Sequence, residues 1–295
     1  MSLTLRAYAK INLTLEVLAK RPDGYHEVAS VLQTVSLADT LTFEPGETLD
    51  FSCDVPNLQS PYNLVLKAAK LLREATGCTR GAAIQLAKRI PTAAGLGSGS
   101  TDAAATLIGL NQLWELNLSL DKLTDLAVQL GSDVAFFLHG GTALAKGRGE
   151  QTTPLPTAPE LWLVLLKPAV KPVSNKTAQL YSRLNSSHYT SGQHTRKLVT
   201  HLNHGGYVDD SFLFNVFEQV AFDFFPELSD YRSNLLEAGA RNVHLAGSGP
   251  ALFILLTDKT HGEAIIKHLE NEGQKAYLVH TLNAAPLAVR GERQC

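Results

Sequence analysis

The sequence has no long apolar run, few cysteines and almost no excess of charge, and each of these absences excludes a class of protein. No stretch approaches the roughly 20 apolar residues that cross a bilayer, and the first ten residues lack the apolar core of a signal peptide. The 28 acidic residues nearly balance the 26 basic ones, whereas a nucleic-acid-binding protein usually carries a basic face. We therefore expect a soluble protein without nucleic-acid or membrane partners.

The three cysteines, Cys53, Cys78 and Cys295, form an odd set without metal-ligand spacing. This set argues against a disulfide framework and fits a reducing compartment, so we expect a cytoplasm of bacterial type or a plastid stroma. The ten histidines are scattered and do not form the paired motif of a zinc site. We therefore predict that no metal ion is held by a dedicated set of protein ligands.

The chain has 295 residues, which is more than one compact core usually requires, so two domains are expected. The segment 152–159 contains three prolines and no hydrophobic periodicity. It predicts a boundary between an N-terminal domain, 1–155, and a C-terminal domain, 156–295. Strand and helix patterns occur in both parts, which indicates an α+β fold with a mixed or antiparallel sheet in each half.

The N-terminal segment has the period of a β-strand, because every odd position from 3 to 17 is apolar. We expect an extended strand, bent or broken somewhere, with one buried face. The polar residues Lys10, Asn12 and Thr14 share the opposite face. Residues 21–24, Arg-Pro-Asp-Gly, predict a tight turn that leads into a second strand.

Helical spacing of apolar residues occurs in several later segments. Residues 64–75 have this spacing, and Gly77 follows as a predicted C-cap. An alanine- and leucine-rich helix is predicted over 102–114, and Ser119 is predicted to cap the next helix. Residues 185–197 are polar, and we expect them to form a mobile loop.

A glycine-rich segment between a predicted strand and a predicted helix carries the strongest chemical signal. Its alternating glycines let the backbone approach an anion, and the helix start adds free N–H groups and a positive dipole end. These features predict a phosphate site. The segment lacks the Gly-Lys-Ser/Thr of a Walker A loop and the third glycine of a Rossmann fingerprint, and a flexible loop with a helix cap is the alternative. The predicted phosphate-binding residues are Pro91, Thr92, Ala93, Ala94, Gly95, Leu96, Gly97, Ser98, Gly99, Ser100 and Thr101.

Three segments, in order along the chain, resemble the motifs of the GHMP kinase superfamily. Residues 7–13 are similar to its first motif, residues 91–102 to its P-x-x-x-G-L-G-S/G-S/G-S phosphate loop, and residues 245–251 to its third, another glycine-rich loop. The resemblance implies an ATP-dependent small-molecule kinase. It also implies a two-domain GHMP kinase-like architecture, with an N-terminal ribosomal protein S5 domain 2-like part and a C-terminal ferredoxin-like part.

Within this superfamily, one branch has motifs that are similar to residues 9–13, 21–26 and 130–134 of this sequence. Its members phosphorylate the 2-hydroxyl of 4-diphosphocytidyl-2-C-methyl-D-erythritol in mevalonate-independent isoprenoid biosynthesis. The resemblance therefore implies ATP and a cytidine diphosphate-linked small molecule as the substrates. Mg²⁺ is expected to arrive with ATP, without a protein carboxylate cage. We expect a monomer or a weak dimer.

The resemblance implies that Asp133 is the general base and that Lys10 lies beside it. Phosphoryl transfer needs a positioned acceptor hydroxyl, a proton acceptor and positive charge near the transferring group. An ammonium at Lys10 would stabilise the ionised carboxylate and the developing alkoxide. Without the resemblance, the residues favour Asp133 as a first-turn residue of a short helix and Lys10 as a solvated strand residue.

The resemblance also implies a set of substrate-binding residues. Tyr25 would stack on cytosine and His26 would bind the edge of the base. The alternative is a hairpin edge with the tyrosine ring packed and the histidine in solvent. Asn12 shares the strand face of Lys10 and is expected to hydrogen-bond in the same region. Thr177 and Tyr181, in a segment that matches the family loosely, complete the set.

Two other functions fit the same motifs in part. Another kinase of the superfamily would act on homoserine, mevalonate or a sugar, and residues 23–26 argue against it. A non-catalytic nucleotide-sensing relative would have lost turnover, and the presence of both Lys10 and Asp133 argues against it. A nicotinamide-binding oxidoreductase is a more distant alternative.

Overall fold

A computed structural model of the chain describes residues 2–284, so Cys295 lies outside the described residues, and Cys53 and Cys78 are free thiols. The described strands are β1 (Leu3–Lys20), β2 (His26–Gly46), β3 (Leu49–Cys53), β4 (Gly81–Ala87), β5 (Thr142–Gly147), β6 (Gln151–Pro154), β7 (Trp162–Leu166), β8 (Phe214–Asn215), β9 (His244–Leu245), β10 (Leu252–Leu255) and β11 (Ala276–His280). The described helices are α1 (Leu64–Thr76), α2 (Ser98–Leu113), α3 (Leu120–Leu130), α4 (Val134–His139), α5 (Lys176–Arg183), α6 (Gln193–Asn203), α7 (Glu218–Phe224), α8 (Leu228–Glu237) and α9 (Lys259–Asn271). Short 3-10 turns span Pro56–Leu58 and Asp210–Phe212. The predicted α+β class is confirmed.

The strands form two sheets. The larger sheet has seven strands in the order β3-β4-β2-β1-β8, with β5 paired to β2 and β6 to β5. It is mixed, because β3 runs parallel to β4 and β8 runs parallel to β1. The smaller sheet has four antiparallel strands in the order β11-β7-β10-β9. The long strand β2 carries β5 along residues 28–33 and β4 along residues 40–46.

The first two strands form a long antiparallel hairpin, as the period-two pattern predicts. Its register shifts at three points, between Tyr8 and Ala9, around Asn12 and around Val17, which is the expected irregularity. The turn over residues 21–24 forms as predicted, with Gly24 at φ +85°. The expectation of one buried face is wrong for residues 9–17, which are all buried. The polar face is covered in this region because α6 packs against Thr14 and Glu16, while Lys10 and Asn12 line the wall of a cleft.

The helix ends follow the predicted capping residues with one difference. As predicted, Gly77 ends α1 at φ +67°, and the Ser119 hydroxyl accepts a hydrogen bond at the start of α3. The side chain of Asn63, which was not predicted, caps the start of α1. Helix α2 begins at Ser98, earlier than predicted. The earlier start arises because Gly97 takes the N-cap position with φ +73°, so the serines that follow it are already helical.

The polar segment 185–197 is a loop up to residue 192, as predicted, but it is helical from Gln193, so the predicted loop is wrong for its last five residues. Its last part is the first turn of α6. The fully buried carboxylate of Glu16, on β1, accepts hydrogen bonds from Thr190 Oγ1 at 2.8 Å and from Thr195 N at 2.7 Å. A carboxylate at a helix N-terminus is stabilised by the helix dipole and by free N–H groups. The polar composition therefore reflects partners on β1.

Three groups of buried apolar side chains make up the core. One lies under β1–β4 against α1 and α2. A second fills the C-terminal half but also includes Leu15, Val17 and Val28 from the hairpin. The third joins Ile11 of β1 to Phe253 of β10. The proposed division into 1–155 and 156–295 stays a prediction, and apolar contacts cross it.

The end of the described chain closes onto the hairpin. Val35 forms a β-bridge with Thr281, and Leu282 N donates to Thr34 O at 2.9 Å. Among the helices between residues 2 and 284, none combines the length and the apolar character that a bilayer crossing needs.

Candidate active site

An open cleft of about 930 Å³ lies where the hairpin, α5 and two glycine-rich loops meet. We call residues 91–101 the first glycine-rich loop and residues 245–251 the second glycine-rich loop. The cleft brings together the predicted catalytic and substrate-binding residues, although they are far apart in the sequence. Those that line it are Lys10, Asn12, Tyr25, His26, Asp133, Thr177 and Tyr181.

Lys10 of β1 and Asp133, the residue before α4, form an ion pair in this cleft. The distance from Lys10 Nζ to Asp133 Oδ2 is 3.5 Å. Lys10 is only 5% exposed, so it is not a solvated strand residue. Asp133 occupies the N-cap position of α4, but its side chain accepts no capping hydrogen bond from that helix. Its carboxylate is therefore free to face the cleft and to balance the buried ammonium.

Asn12 holds the Lys10 ammonium from the same strand. Lys10 Nζ donates to Asn12 Oδ1 at 2.8 Å, and Asn12 Nδ2 donates to Ser30 Oγ at 2.8 Å. Ser30 in turn donates to Thr14 O at 2.6 Å. This chain of hydrogen bonds fixes which end of the amide faces the lysine, so the position of the ammonium is set by buried neighbours.

Two glycines give the first glycine-rich loop its shape. Gly95 has φ +87°, and a Cβ there would lie 1.9 Å from Ala246 O. Gly97 has φ +73°, and its Cβ would lie 2.5 Å from the ring of Phe137. Because a side chain is excluded at both positions, the backbone can come close to its neighbours. The exposed N–H groups of such a loop, followed by the start of α2, suit the oxygens of a phosphate.

The residues of the first glycine-rich loop differ in their access to the cleft. Ala93, Gly95, Gly97 and Ser100 line it. Ala94 and Leu96 are each 1% exposed and belong to the apolar core, so they support the loop from behind. Phosphate binding by this segment stays a prediction, and the residues outside the lining would act by shaping it. They are Pro91, Thr92, Ala94, Leu96, Ser98, Gly99 and Thr101.

A buried polar cluster fixes the base of the first glycine-rich loop. Lys88 Nζ donates to Ser98 Oγ at 2.6 Å and to Asp102 Oδ2 at 2.7 Å, and it also contacts Asp39. Asp39 Oδ1 accepts from Ile90 N at 2.8 Å. Burial raises the pKa of Asp102 to about 7, although Lys88 opposes this shift. The cluster ties the end of β4 to the first turn of α2.

The second glycine-rich loop packs directly on the first. Ala251 N donates to Ala94 O at 3.1 Å, and a Cβ on Gly247 would lie 3.3 Å from Lys10 Nζ. Asn215, which the sequence analysis missed, holds this loop with Nδ2 bonds of 2.8 Å to both Leu245 O and Gly247 O. Its signal in the sequence is slight, because it is the one polar residue within the apolar stretch 212–217.

Lys176, the first residue of α5, is a second residue that the sequence analysis missed. Its Nζ donates to Ala93 O at 3.3 Å, to Ser248 O at 3.2 Å and to Gly249 O. Burial lowers its pKa to about 8, and the charge of Lys10 acts in the same direction. The segment 174–181 was singled out for Thr177 and Tyr181, but nothing in its pattern distinguishes this lysine.

Aromatic side chains line one end of the cleft, next to the turn that joins β1 to β2. The His26 ring stacks on Tyr181, with 4.9 Å between ring centres. Burial lowers the pKa of His26, with Lys20 contributing, so the neutral ring is favoured. Burial also raises the pKa of the Tyr181 hydroxyl, and Asp133 adds to this shift. The two residues therefore present neutral hydrogen-bonding groups on a flat apolar surface.

Tyr25 and Arg148 form the outer part of this aromatic end. Tyr25 is 56% exposed, and the Arg148 guanidinium lies 4.8 Å from its ring centre. Counting residues along a simple hairpin would not bring Tyr25 near Lys10. Both residues nevertheless line the same cleft, because its length follows the hairpin.

The site has the features of a phosphate site but not of a protein-held metal site. The first glycine-rich loop presents Ala93, Gly95 and Gly97 to the cleft and leads into the N-terminus of α2, which fits the phosphates of ATP. Between residues 2 and 284, no group of three His, Cys, Asp or Glu side chains is placed to hold a metal ion.

Several known proteins are similar to this chain over nearly its full length. Residues 63–141 match the GHMP kinases N terminal domain, and residues 201–275 match the GHMP kinases C terminal domain. A 4-diphosphocytidyl-2-C-methyl-D-erythritol kinase of Dehalococcoides mccartyi (strain ATCC BAA-2266 / KCTC 15142 / 195) is 48% identical over 95% of this chain and 98% of its own. One of Pelotomaculum thermopropionicum (strain DSM 13744 / JCM 10971 / SI) is 42% identical over 96% and 99%.

The fold agrees with these sequence relationships. A crystal structure of 4-(cytidine 5'-diphospho)-2C-methyl-D-erythritol kinase superposes with a TM-score of 0.80 and 34% identity, and the match covers 94% of this chain and 98% of the other. Two domain models, full-length relatives and a solved structure thus point to one group. The chain belongs to the GHMP kinases and, within them, to the 4-diphosphocytidyl-2-C-methyl-D-erythritol kinase family.

Proposed function

We propose that the chain transfers the γ-phosphate of ATP to the 2-hydroxyl of 4-diphosphocytidyl-2-C-methyl-D-erythritol, a step of mevalonate-independent isoprenoid biosynthesis. One observation carries this proposal. The Lys10–Asp133 ion pair lies beside the first glycine-rich loop, in a cleft that also contains the aromatic residues of the hairpin turn. A phosphate site, a proton acceptor and a nucleobase-sized aromatic surface are the three parts that this reaction requires.

The proton and the phosphoryl group move in a balanced step. The 2-hydroxyl oxygen forms a bond to the γ-phosphorus while the bond from that phosphorus to the β-γ bridging oxygen breaks, so ADP leaves. Asp133 accepts the hydroxyl proton, and its carboxylate is available because it makes no capping bond with α4. Lys10 stabilises the ionised aspartate and the negative charge that develops on the attacking oxygen.

The backbone N–H groups and the helix N-terminus at the site favour a negatively charged ligand such as a triphosphate with its metal ion. The backbone of Ala93, Gly95 and Gly97 would hold the phosphate oxygens, with the N-terminus of α2 behind them. Mg²⁺ bound by ATP would neutralise charge on the phosphates. It would be held mainly by the phosphates and water, because no carboxylate cage exists within residues 2–284.

The aromatic end of the cleft suits the cytidine part of the acceptor. Tyr25 has free ring surface for stacking on a base. His26 and Tyr181 are neutral, buried on one side and able to bond the edge of cytosine. Asn12 and Thr177 would then contact the middle of the substrate, since both line the cleft near Lys10 and the second glycine-rich loop.

The alternative acceptors fit this cleft less well. Homoserine and mevalonate are small, and they would leave the aromatic end without a partner in a cleft of about 930 Å³. A nucleotide sensor without activity would have no use for an aspartate held free beside a buried lysine. We propose that the reaction takes place in a bacterial cytoplasm, where ATP is available, as the bacterial relatives suggest.

A comparison of acceptors tests the proposed function. ADP release is measured with the purified chain, ATP and Mg²⁺, with the cytidylated methylerythritol, homoserine and mevalonate supplied in turn. We expect turnover with the first acceptor at least about a hundredfold above the others, because they lack the group that binds the aromatic end. Equal turnover with homoserine or mevalonate, or no turnover with any acceptor, would reject the proposal.

Asp133→Asn tests the role of the base. The amide has nearly the same shape but cannot accept the proton, so turnover is expected to fall roughly 10²–10⁴-fold with ATP affinity nearly unchanged. Steady-state rates and ATP titration are compared with Asp125→Asn, a control carboxylate on α3 that is 72% exposed. Near-normal turnover of Asp133→Asn would remove this residue from the mechanism.

A further inference from the structure

Lys176 connects the two glycine-rich loops across the cleft. Its ammonium donates to Ala93 O of the first loop and to Ser248 O and Gly249 O of the second. The neighbouring Thr177 hydroxyl lies 3.0 Å from Ser248 Oγ, so the start of α5 contacts the second loop twice. These contacts join backbone segments that are about 150 positions apart in the sequence.

Among the residues that the structure describes, the Lys176 ammonium bonds only to main-chain oxygens. Within residues 2–284, no carboxylate forms an ion pair with it, whereas Lys10 is paired with Asp133. Lys10 of β1 is the charged group that acts on it, and burial together with that charge lowers the pKa of Lys176 to about 8. Two ammonium groups close together in a buried site repel each other, and an anion bound between the loops would relieve that cost.

We propose that Lys176 is a positioning residue for the ATP phosphates: it holds the two glycine-rich loops at a fixed spacing and supplies positive charge to the triphosphate between them. This inference rests on the proposed function, because it takes ATP as the ligand of the loops. It adds a side chain of α5 to a phosphate site whose other proposed parts are the two glycine-rich loops and the N-terminus of α2.

Lys176→Met tests the contribution of the ammonium. The variant keeps a side chain of similar length but loses the charge and all three hydrogen bonds. The loss of charge-assisted hydrogen bonds is expected to weaken ATP binding about tenfold to a hundredfold. The KM for the acceptor should change less than twofold, because the lysine contacts only the loops. Lys171→Met, on the same segment and exposed, is the matched control.

Lys176→Arg and a proton measurement separate positioning from general stability. At about pH 8.5 a lysine of lowered pKa is partly neutral, and bound triphosphate would restore its proton, so ATP binding should take up protons. Calorimetric titration in buffers of different ionisation enthalpy measures this uptake. Arginine stays charged, so Lys176→Arg should bind ATP within about fivefold of the parent chain without the uptake. Lys10, the other ammonium at the site, is unchanged in both variants.

The outcomes are distinguishable. Weaker ATP binding by Lys176→Met with an unchanged thermal unfolding midpoint, together with loss of proton uptake in Lys176→Arg, would support the inference. ATP binding by Lys176→Met within twofold of the parent chain would overturn it. If Lys176→Met does not fold, proton uptake that persists in Lys176→Arg would overturn it. Failure of the parent chain to bind ATP would overturn the proposed function and this inference with it.

Discussion

Gly95 and Gly77 adopt similar backbone angles in very different surroundings. Their φ values are +87° and +67°, and both belong to the region that disfavours side chains. A Cβ on Gly77 would meet nothing within 4 Å, whereas one on Gly95 would lie 1.9 Å from Ala246 O. The same residue type therefore serves a helix end in one place and a close contact between two loops in the other.

This difference predicts unequal effects of alanine at the two positions. Gly77→Ala should cost about 1 kcal/mol in the free energy of unfolding, because only the backbone angle is strained. Gly95→Ala should cost about 2–4 kcal/mol, because overpacking against the second loop adds to the strain. ATP affinity should fall for Gly95→Ala alone. Urea unfolding and ATP titration test both variants, and equal losses would contradict the contact between the loops.

At the residue scale, the sequence predicted several side chains that meet in the cleft but not how they are held. Lys10, Asp133, Tyr25 and His26 were found because the family motifs mark them. Asn215 and Lys176 were missed because each acts on main-chain carbonyls far away in the sequence. No pattern of neighbouring residue types records such a contact. A single asparagine in an apolar stretch is compatible with many structures.

At the scale of elements, local patterns predicted best where the cause is local. The C-cap of α1 at Gly77 and the N-cap of α3 at Ser119 depend on these residues and their immediate neighbours, so both were predictable from the sequence. The start of α6 was misread because its polar residues are held by Glu16, on a strand from the other end of the chain. Composition alone cannot distinguish a polar residue with a buried partner from one in water.

The second glycine-rich loop is anchored by a titratable cluster on three elements. His244 of β9 bonds Asp210 of the 3-10 turn at 3.0 Å and faces Glu218 of α7 at 3.7 Å. Glu218 also accepts from Leu245 N at 2.9 Å, where the loop begins. Burial alone would lower the pKa of His244, but the two carboxylates outweigh it and raise the pKa to about 9.

The raised pKa of His244 predicts a stability that declines in alkaline solution. The folded-state pKa is about 9 and the ordinary value is 6.5, so the stabilisation is complete below pH 6.5 and is lost as pH rises through about 9. It is on the order of 3 kcal/mol. His244→Gln should flatten the fall in urea stability between these pH values, whereas His204→Gln, an exposed control, should not. A fall of unchanged size in His244→Gln would contradict the cluster.

At the scale of the whole molecule, the fold class and the presence of two sheets were predictable from the sequence. The sequence did not show that residues of the N-terminal hairpin are buried in the core of the C-terminal half. The alternation of apolar residues in β1 predicts a buried face, but it does not indicate which other elements cover that face. In the structure, one strand supplies Ile11 to the core that joins the halves and Leu15 to the core of the C-terminal half. The register shifts of β1 redirect its faces, and such shifts depend on packing rather than on local sequence.

The shared core predicts how the two halves behave when separated. A fragment that begins at residue 156 lacks Leu15, Val17 and Val28, which are buried within its own core in the intact chain. We expect this fragment to unfold over a broad range of urea concentrations, because its apolar surface is uncovered. Adding the fragment 1–155 should restore a sharper transition, as circular dichroism would show. A sharp transition of the C-terminal fragment alone would indicate an independent domain.

The bridge between Val35 and Thr281, together with the bond from Leu282 N to Thr34 O, has a consequence for synthesis on the ribosome. The strand that carries these N-terminal partners leaves the exit tunnel long before the segment that covers it. The backbone groups of Thr34 and Val35 that pair with this segment therefore stay unpaired while most of the polypeptide is still being translated. Nascent chains that stall before residue 245 would contain Lys10 and Asp133 but not the loop around Gly247, so kinase activity should emerge only late in translation.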